Sequence, residues 1–368
     1  MLYVHIPYCH RKCTYCAFYS TVTAEGHQAY VDALCLELKR RRHSLEKPLR
    51  TVYFGGGTPT LLSVAQLAQI VEAIRNNYDT TALEETTIEA NPEDLTAAYL
   101  SDLRQLDFFN RISIGVQSFH DADLRLLNRR HDSRQAQEAL ENVAAAGFSN
   151  LSVDLIYGLP NQYLEAWLDN LHHLEGSPIH HLSAYSLTVE EGTMLHQQIG
   201  QGRVVPCDED TSLSHYQALL RWAADHDFHQ YEISNFARPG HTAVHNSRYW
   251  NRTPYLGVGA AAHSFDGLNR RWNVADTRRY IHSVMSGPIE HEEEELTLKD
   301  AHNEYLMTAL RTVAGIDKKL VAAPFANRLQ HDIQRFVTTG LILDTPTHYR
   351  PTPEGLLHAD GIAAELFL

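Results

Sequence analysis

Cys9, Cys13 and Cys16 lie in the stretch CHRKCTYCAF (9–18), a C-x3-C-x2-C spacing that takes up three of the five cysteines in a 368-residue chain. Thiolates this close in sequence can be carried on a single loop and aimed at three corners of an iron–sulfur cubane, leaving the fourth iron without a protein ligand. Zinc is the competing chemistry, because Cys3His is a common structural site and His5, His10 and His43 are available. Structural zinc loops, however, usually divide their ligands between two knuckles, and no second C-x2-C occurs in this chain. Three thiols in a loop beside Arg11 and Lys12 do not read as inert packing. An odd count with three crowded together is also unlike the even framework of a disulfide-stapled secreted domain, so metal ligation in a reducing compartment is the expectation.

A loop can aim ligands only if regular elements hold it. Short β-branched runs at 2–6, 51–54, 86–90, 111–116, 151–157 and 182–187 alternate with amphipathic helical patterns at 26–43, 63–77, 94–106, 133–146 and 163–174. Right-handed crossovers wind six such βα units into a parallel sheet, two units short of a closed barrel, and the cysteine loop then follows the first strand. The fold class expected is therefore α/β, a partial (β/α)6 TIM-like barrel, over residues 1–230 and ending in a further helix at 209–227. Residues 231–295 read as irregular, rich in Gly, Asn, Pro and His, and close on the acidic EHEEEE (290–295) as a linker or exposed edge. From 296 to 368, helical patterns precede GLILDTPTHYRPTPEGL, two extended pieces around a turn, which suggests a small helical, winged-helix-like domain.

Other polar groups fall at the C-terminal ends of the same strands, where a barrel of this kind gathers its chemistry. FGGGTP (54–59) follows the second strand, and its glycines let the backbone approach a ligand without Cβ interference. Glu89 ends strand three, Gln117 ends strand four, Asp154 lies in strand five, and Arg129 follows strand four within LNRRH. Singly, the glycines read as a tight turn and each polar residue as a surface group. Together they supply what a zwitterion with a ribose requires, a guanidinium for a carboxylate and carboxylates for hydroxyls or an ammonium.

With an aromatic (Tyr15) before the third cysteine and a partial barrel behind it, the chain resembles the radical S-adenosylmethionine superfamily. The resemblance implies a [4Fe-4S] cluster on Cys9, Cys13 and Cys16, with S-adenosylmethionine chelating the open iron through its amino and carboxylate groups. It also implies that an electron from the cluster cleaves a C–S bond of the sulfonium to release the 5'-deoxyadenosyl radical. Gly56, Gly57 and Thr58 match the stretch that contacts the methionyl part, and Tyr3, Tyr15, Glu89, Gln117, Arg129 and Asp154 match further cofactor-binding positions.

YVHIPYC, GGGTPT, IEANPEDL, RISIGVQSF and DLIYGLP are similar, over essentially the whole chain, to the oxygen-independent coproporphyrinogen III oxidase-like family. Oxidase members carry a further cysteine two positions after the third and a long N-terminal extension. Here that position is Phe18, and only eight residues precede Cys9. HNSRYWN (245–251) matches the H-N-x-x-Y-W signature of the family's haem-chaperone branch. That branch implies a protein that binds haem besides the cluster and S-adenosylmethionine and passes it to an acceptor haem protein, such as a respiratory enzyme at the membrane. In it His245 would ligate haem iron while Tyr249 and Trp250 pack on the macrocycle. The residues alone equally allow a core role for all three, and His263 is a rival ligand. The alternative function is a radical enzyme acting on a porphyrinogen.

Bulk properties bound these readings. A formal net charge of -14 opposes a general phosphate-binding surface, so no nucleic-acid partner is expected. KRRRH (39–43) reads as the solvated end of a helix. No basic, apolar leader and no run of about 18 apolar residues is seen, which gives a cytoplasmic expectation without a transmembrane segment. Cys35 falls on an apolar helical face and reads as core, while Cys207 is unassigned.

Overall fold

The computed structural model describes residues 1–23, 25–45 and 47–368. Six parallel strands pair in sequence order: β1 (Leu2–Ile6), β2 (Thr51–Gly56), β3 (Glu85–Ala90), β4 (Arg111–Gln117), β5 (Leu151–Tyr157) and β6 (His181–Ser186). Between them run α1 (His27–Arg40), α2 (Val64–Asn77), α3 (Ala97–Gln105), α4 (Asp121–Leu126) followed by α5 (Ser133–Ala145), and α6 (Leu164–His172). Alternation along each strand explains the layering. Val4, Val52, Phe54, Ile88, Ile112, Val153 and Leu155 are fully buried in one core with Leu34, Leu38, Leu67 and Ile70 of the helices, while the intervening residues line the barrel interior. Start signals are explicit in the sequence: Ser63 with Gln66 and Asp132 with Gln135 form capping boxes at α2 and α5.

The chain continues through α7 (Met194–Gly200) and α8 (Glu209–Asp225), then adds β7 (His229–Gln230) and β8 (Asn235–Ala237) antiparallel beside β6. After α9 (Val244–Trp250), β9 (Leu256–Val258) pairs in parallel with β1. The sheet is thus nine-stranded in the order β7-β8-β6-β5-β4-β3-β2-β1-β9. Next, β10 (His263–Phe265), β11 (Asn269–Asn273) and β12 (His291–Glu295) make an antiparallel sheet, with α10 (Thr277–Ser286) between its last two strands. The stretch expected to be irregular is therefore structured. Most of its strands have only three residues, too few for alternation to register as a period. The acidic run is the exposed edge strand β12.

Arg41, within the run expected to be solvated, turns inward instead. It donates to Glu37 Oε1 at 3.2 Å and to the Gly257 carbonyl at 2.9 Å. The fully buried Glu37 also accepts from Gly259 N, Asn273 Nδ2 and Tyr280 Oη at 2.9, 2.8 and 2.6 Å, so α1 is stitched to the segments after β9 by a charge whose acceptor sites are filled.

The C-terminal part comprises α11 (Leu298–Leu310), β13 (Ile316–Asp317), α12 (Ala323–Asp332), α13 (Gln334–Thr338), β14 (Ile342–Asp344), β15 (His348–Pro351), α14 (Pro353–Leu357) and α15 (Ala359–Leu366). β13, β15 and β14 form a small antiparallel sheet against the helices. Leu306, Leu310, Ile316, Leu329, Ile333 and Ile342 give this part a core of its own.

Candidate functional site

The loop after β1 is braced on both sides. Its Thr14 donates through N and Oγ1 to the carbonyls of Leu127 and Leu126 at 3.1 and 3.0 Å, at the end of α4. Asn128 Nδ2 donates to the Lys12 carbonyl at 2.9 Å, and Leu195 N, in the first turn of α7, donates to the Thr14 carbonyl at 2.8 Å. Tyr15 packs partly buried on Leu127, Ile156 and Leu159. Neither α4 nor α7 stands out in the sequence, because one amphipathic turn and a half is too short to establish a helical period.

A cavity of about 570 Å³ opens at the C-terminal ends of the strands. Its walls include Cys9, Cys13, Tyr15, Cys16, Gly56, Gly57, Thr58, Glu89, Gln117, Arg129 and Asp154, so all but two of the sequence-predicted residues meet there. The three thiols are free and half-buried. Thr58 Oγ1 lies 3.8 Å from Cys9 Sγ, and Arg129 Nη1 lies 3.5 Å from Cys13 Sγ, both as donors. Burial pushes the Cys9 and Cys16 thiols above their ordinary range, which a bound cation would reverse. No group of three or more His, Cys, Asp or Glu side chains among the described residues is gathered tightly enough to hold a metal ion.

The remaining walls are built for a polar ligand. Arg129 Nη2 donates to Asn91 Oδ1 and the Gly115 carbonyl, each at 2.6 Å, which fixes the guanidinium, and its Nε is buried without a protein partner. Glu89 accepts from Tyr53 Oη at 2.7 Å and Gly56 N at 3.1 Å, yet burial raises its carboxyl to about 7. Asp154 is also raised, chiefly by burial, and accepts from Ser113 Oγ at 3.3 Å. Gln117 has φ 68° at a bulge in the β4–β5 pairing, a left-handed conformation that turns its side chain out of strand register. Gly56 has φ 111° and lies against the His5 ring, where a Cβ has no room. A Cβ on Gly57 would come within 2.6 Å of the Tyr8 carbonyl oxygen. Asn91, Ser113 and Tyr185 also line the cavity and escaped the sequence reading. Asn91 could have been found from its place directly after β3, and Ser113 and Tyr185 from strand alternation.

Tyr3 and His245 do not reach this cavity. Tyr3 points into the barrel below the rim, bonded to His5 Nδ1 at 3.0 Å and stacked on Tyr53. His245 is fully buried at the opposite, N-terminal end of the strands. Its Nδ1 is 2.8 Å from Thr51 Oγ1 and its Nε2 3.0 Å from Tyr249 Oη, so both ring nitrogens are occupied. Since Thr51 begins β2 and Gly56 ends it, roughly 17 Å of strand separates the two sites at about 3.3 Å per residue. A free imidazole offered to haem iron does not fit this placement. Tyr249 meets His245 and Tyr255 edge to face, and Trp250 carries Arg311 over its ring at 5.7 Å, so the motif's aromatics are packed within the protein.

Residues 3–174 match the model of the radical SAM superfamily, and residues 296–358 that of the HemN C-terminal domain. The chain is 33% identical over 331 residues to the heme chaperone HemW of Bacillus subtilis, covering 89% of this chain and 87% of that protein. It is 34% identical over 317 residues to heme chaperone HemW of Lactococcus lactis, covering 85% and 82%. Among solved structures, the radical SAM enzyme coproporphyrinogen III oxidase (HemN) of Escherichia coli superposes with a TM-score of 0.85 at 25% identity, covering 100% of this chain and 89% of that one. Membership of the superfamily implies a [4Fe-4S] cluster and S-adenosylmethionine, and the cavity's three thiols and facing polar groups fit both. By sequence, domain content and fold, the chain belongs to the HemW family of radical SAM proteins.

Proposed function

We propose that the chain is a haem chaperone. Cys9, Cys13 and Cys16 hold a [4Fe-4S] cluster, and S-adenosylmethionine lies across Gly56, Gly57, Thr58, Glu89, Gln117, Arg129 and Asp154. The protein also binds haem and delivers it to an acceptor haem protein, such as a respiratory enzyme at the membrane, from the cytoplasm. No helix among the described residues is long and apolar enough to cross a membrane, consistent with delivery from one side. The cluster and S-adenosylmethionine are supported by one cavity that sets three thiols against a fixed guanidinium and two carboxyls, and the haem-chaperone role by the likeness to proteins named heme chaperone HemW over most of the chain. Arg129 is placed to take a carboxylate, while Glu89 and Asp154 accept from hydroxyls or an ammonium, and a ligand cation would favour the charged form of both.

The fold likeness to coproporphyrinogen III oxidase favours a second reading, a radical enzyme acting on a porphyrinogen. Phe18 speaks against it. The ring stands 71% exposed at the cavity wall, in the position where the oxidase carries a further cysteine. Incubating the anaerobically reconstituted protein with coproporphyrinogen III and, separately, with haem distinguishes the two. The expected result is an unchanged porphyrinogen and a Soret band with haem that passes to an added apo haem protein. Decarboxylated porphyrinogen, or no haem bound at all, would overturn the chaperone reading.

A further inference from the structure

The sheet β10-β11-β12 carries an aromatic face that is open at one end only: His263 is exposed and Trp272 half-buried there, while at the other end Phe265 is buried and Arg270 pairs with Glu304. Cross-strand pairing sets His263 opposite Trp272 and Phe265 opposite Arg270, so these four side chains share that face. The His263 and Trp272 rings are stacked, with centroids 5.6 Å apart and planes 20° from parallel. His263 is exposed, and neither ring nitrogen has a hydrogen bond or ion pair to any described residue. It is also held rigidly. Gly257 of β9 abuts the His263 backbone, with no room for a Cβ between them, and Phe265 exchanges both backbone hydrogen bonds with Tyr255 at 2.8 and 2.9 Å.

From this juxtaposition, and resting on the haem-chaperone reading, we propose that His263 is the protein ligand to haem iron and that the Trp272 indole, stacked on the imidazole, holds that ring in position. The inference differs from the motif-based expectation for a steric reason: His245 has no nitrogen to give without unpacking the barrel floor, whereas the His263 imidazole is open to solvent. Partial burial of the otherwise exposed ring and the nearby Arg270 also lower the His263 pKa, which favours the neutral imidazole that metals bind. Glu292 and Glu294 of β12 stand on the same face opposite Trp272 and Arg270. Their charge repels the two propionates and directs them away from β12. An open, one-sided site exchanges its ligand more readily than a closed pocket, as delivery requires.

The test titrates ferric haem into the full-length protein and its His263→Ala, Trp272→Ala and His245→Gln variants, following the Soret band, with iron–sulfur content as the control for folding. His263→Ala is expected to weaken haem binding by about tenfold or more, equivalent to at least about 1.4 kcal/mol, and to shift the band, with added imidazole restoring it. Trp272→Ala should weaken binding without changing the ligand signature. His245→Gln should keep the wild-type spectrum. Wild-type affinity and band position in His263→Ala would overturn the site while leaving the chaperone reading standing, as would their loss in a folded His245→Gln protein. Absence of haem binding by the wild-type protein would overturn both.

Discussion

Within the cysteine loop, each residue's role can be separated by substitution. Cys13→Ala removes the thiol beside the Arg129 guanidinium that is proposed as a cluster ligand, so the reconstituted protein is expected to lose its brown absorbance and most of its iron. Cys35 lies on another wall of the molecule, against the Gln69 carbonyl at 3.6 Å. Cys35→Ala should therefore retain both, and iron kept by Cys13→Ala would refute the assignment. His245 gives a different kind of prediction. Burial, reinforced by the N-terminal ammonium, Arg111 and Arg248, lowers its pKa from 6.5 to about 3. Below pH 6.5 the unfolded chain takes up a proton that the folded one refuses, so stability falls as pH drops towards 3. At pH 5 that penalty is about 2 kcal/mol, at roughly 1.4 kcal/mol per pH unit. Denaturant midpoints at pH 7 and 5 should show a steeper loss for wild type than for His245→Gln, which has no imidazole to charge. These residues also show what a sequence can carry. Cysteine spacing encodes a loop directly, so the meeting of Cys9, Cys13 and Cys16 at one cavity was legible. The placement of His245 was not, because a motif records that residues occur together, not at which end of a barrel they lie.

Among elements, the parallel strands were legible because each is a run of five to seven residues followed by a helical segment, capped by a side chain at α2, α3 and α5. What the pattern left out were the short pieces: α4, α7, β9 and the three-residue strands are specified by tertiary contacts rather than by their own period. α9 illustrates this. Among the described residues its cap comes from a distant strand, where the buried Glu85 carboxylate accepts from Val244 N at 2.8 Å and His245 N at 2.9 Å. A carboxylate at a helix N-terminus satisfies orphan donors and complements the dipole. Removing it in Glu85→Ala leaves two buried N–H groups unpaired and should cost about 2–4 kcal/mol, with Glu85→Gln recovering part of this. Urea unfolding measures both. A loss within 0.5 kcal/mol for Glu85→Ala would mean that α9 is held by its packing alone.

Across the whole molecule, the C-terminal part does not hang free but is pinned to the end of the barrel that carries α9. Ile233 N donates to the Arg311 carbonyl at 2.9 Å and Val313 N to the Tyr231 carbonyl at 3.2 Å, a strand-like seam. Glu304 of α11 then bridges Arg252, just after α9, and Arg270 of β11, at 2.5 and 2.6 Å. Arg270 is two residues from Trp272 on the same strand, so this carboxylate couples the C-terminal helices to the proposed haem site. Glu304→Ala leaves two half-buried guanidiniums facing each other and is expected to destabilise the protein by about 1–3 kcal/mol. It removes no iron ligand and no stacking surface. Haem should therefore bind a few-fold more weakly with the Soret position unchanged, while cluster content stays at the wild-type level because the cysteine loop is braced by α4 and α7 instead. Loss of iron–sulfur absorbance in Glu304→Ala would show that the two ends of the barrel are coupled through the sheet. Unchanged haem affinity together with a lowered unfolding midpoint would show that α11 supports the fold without setting the haem site.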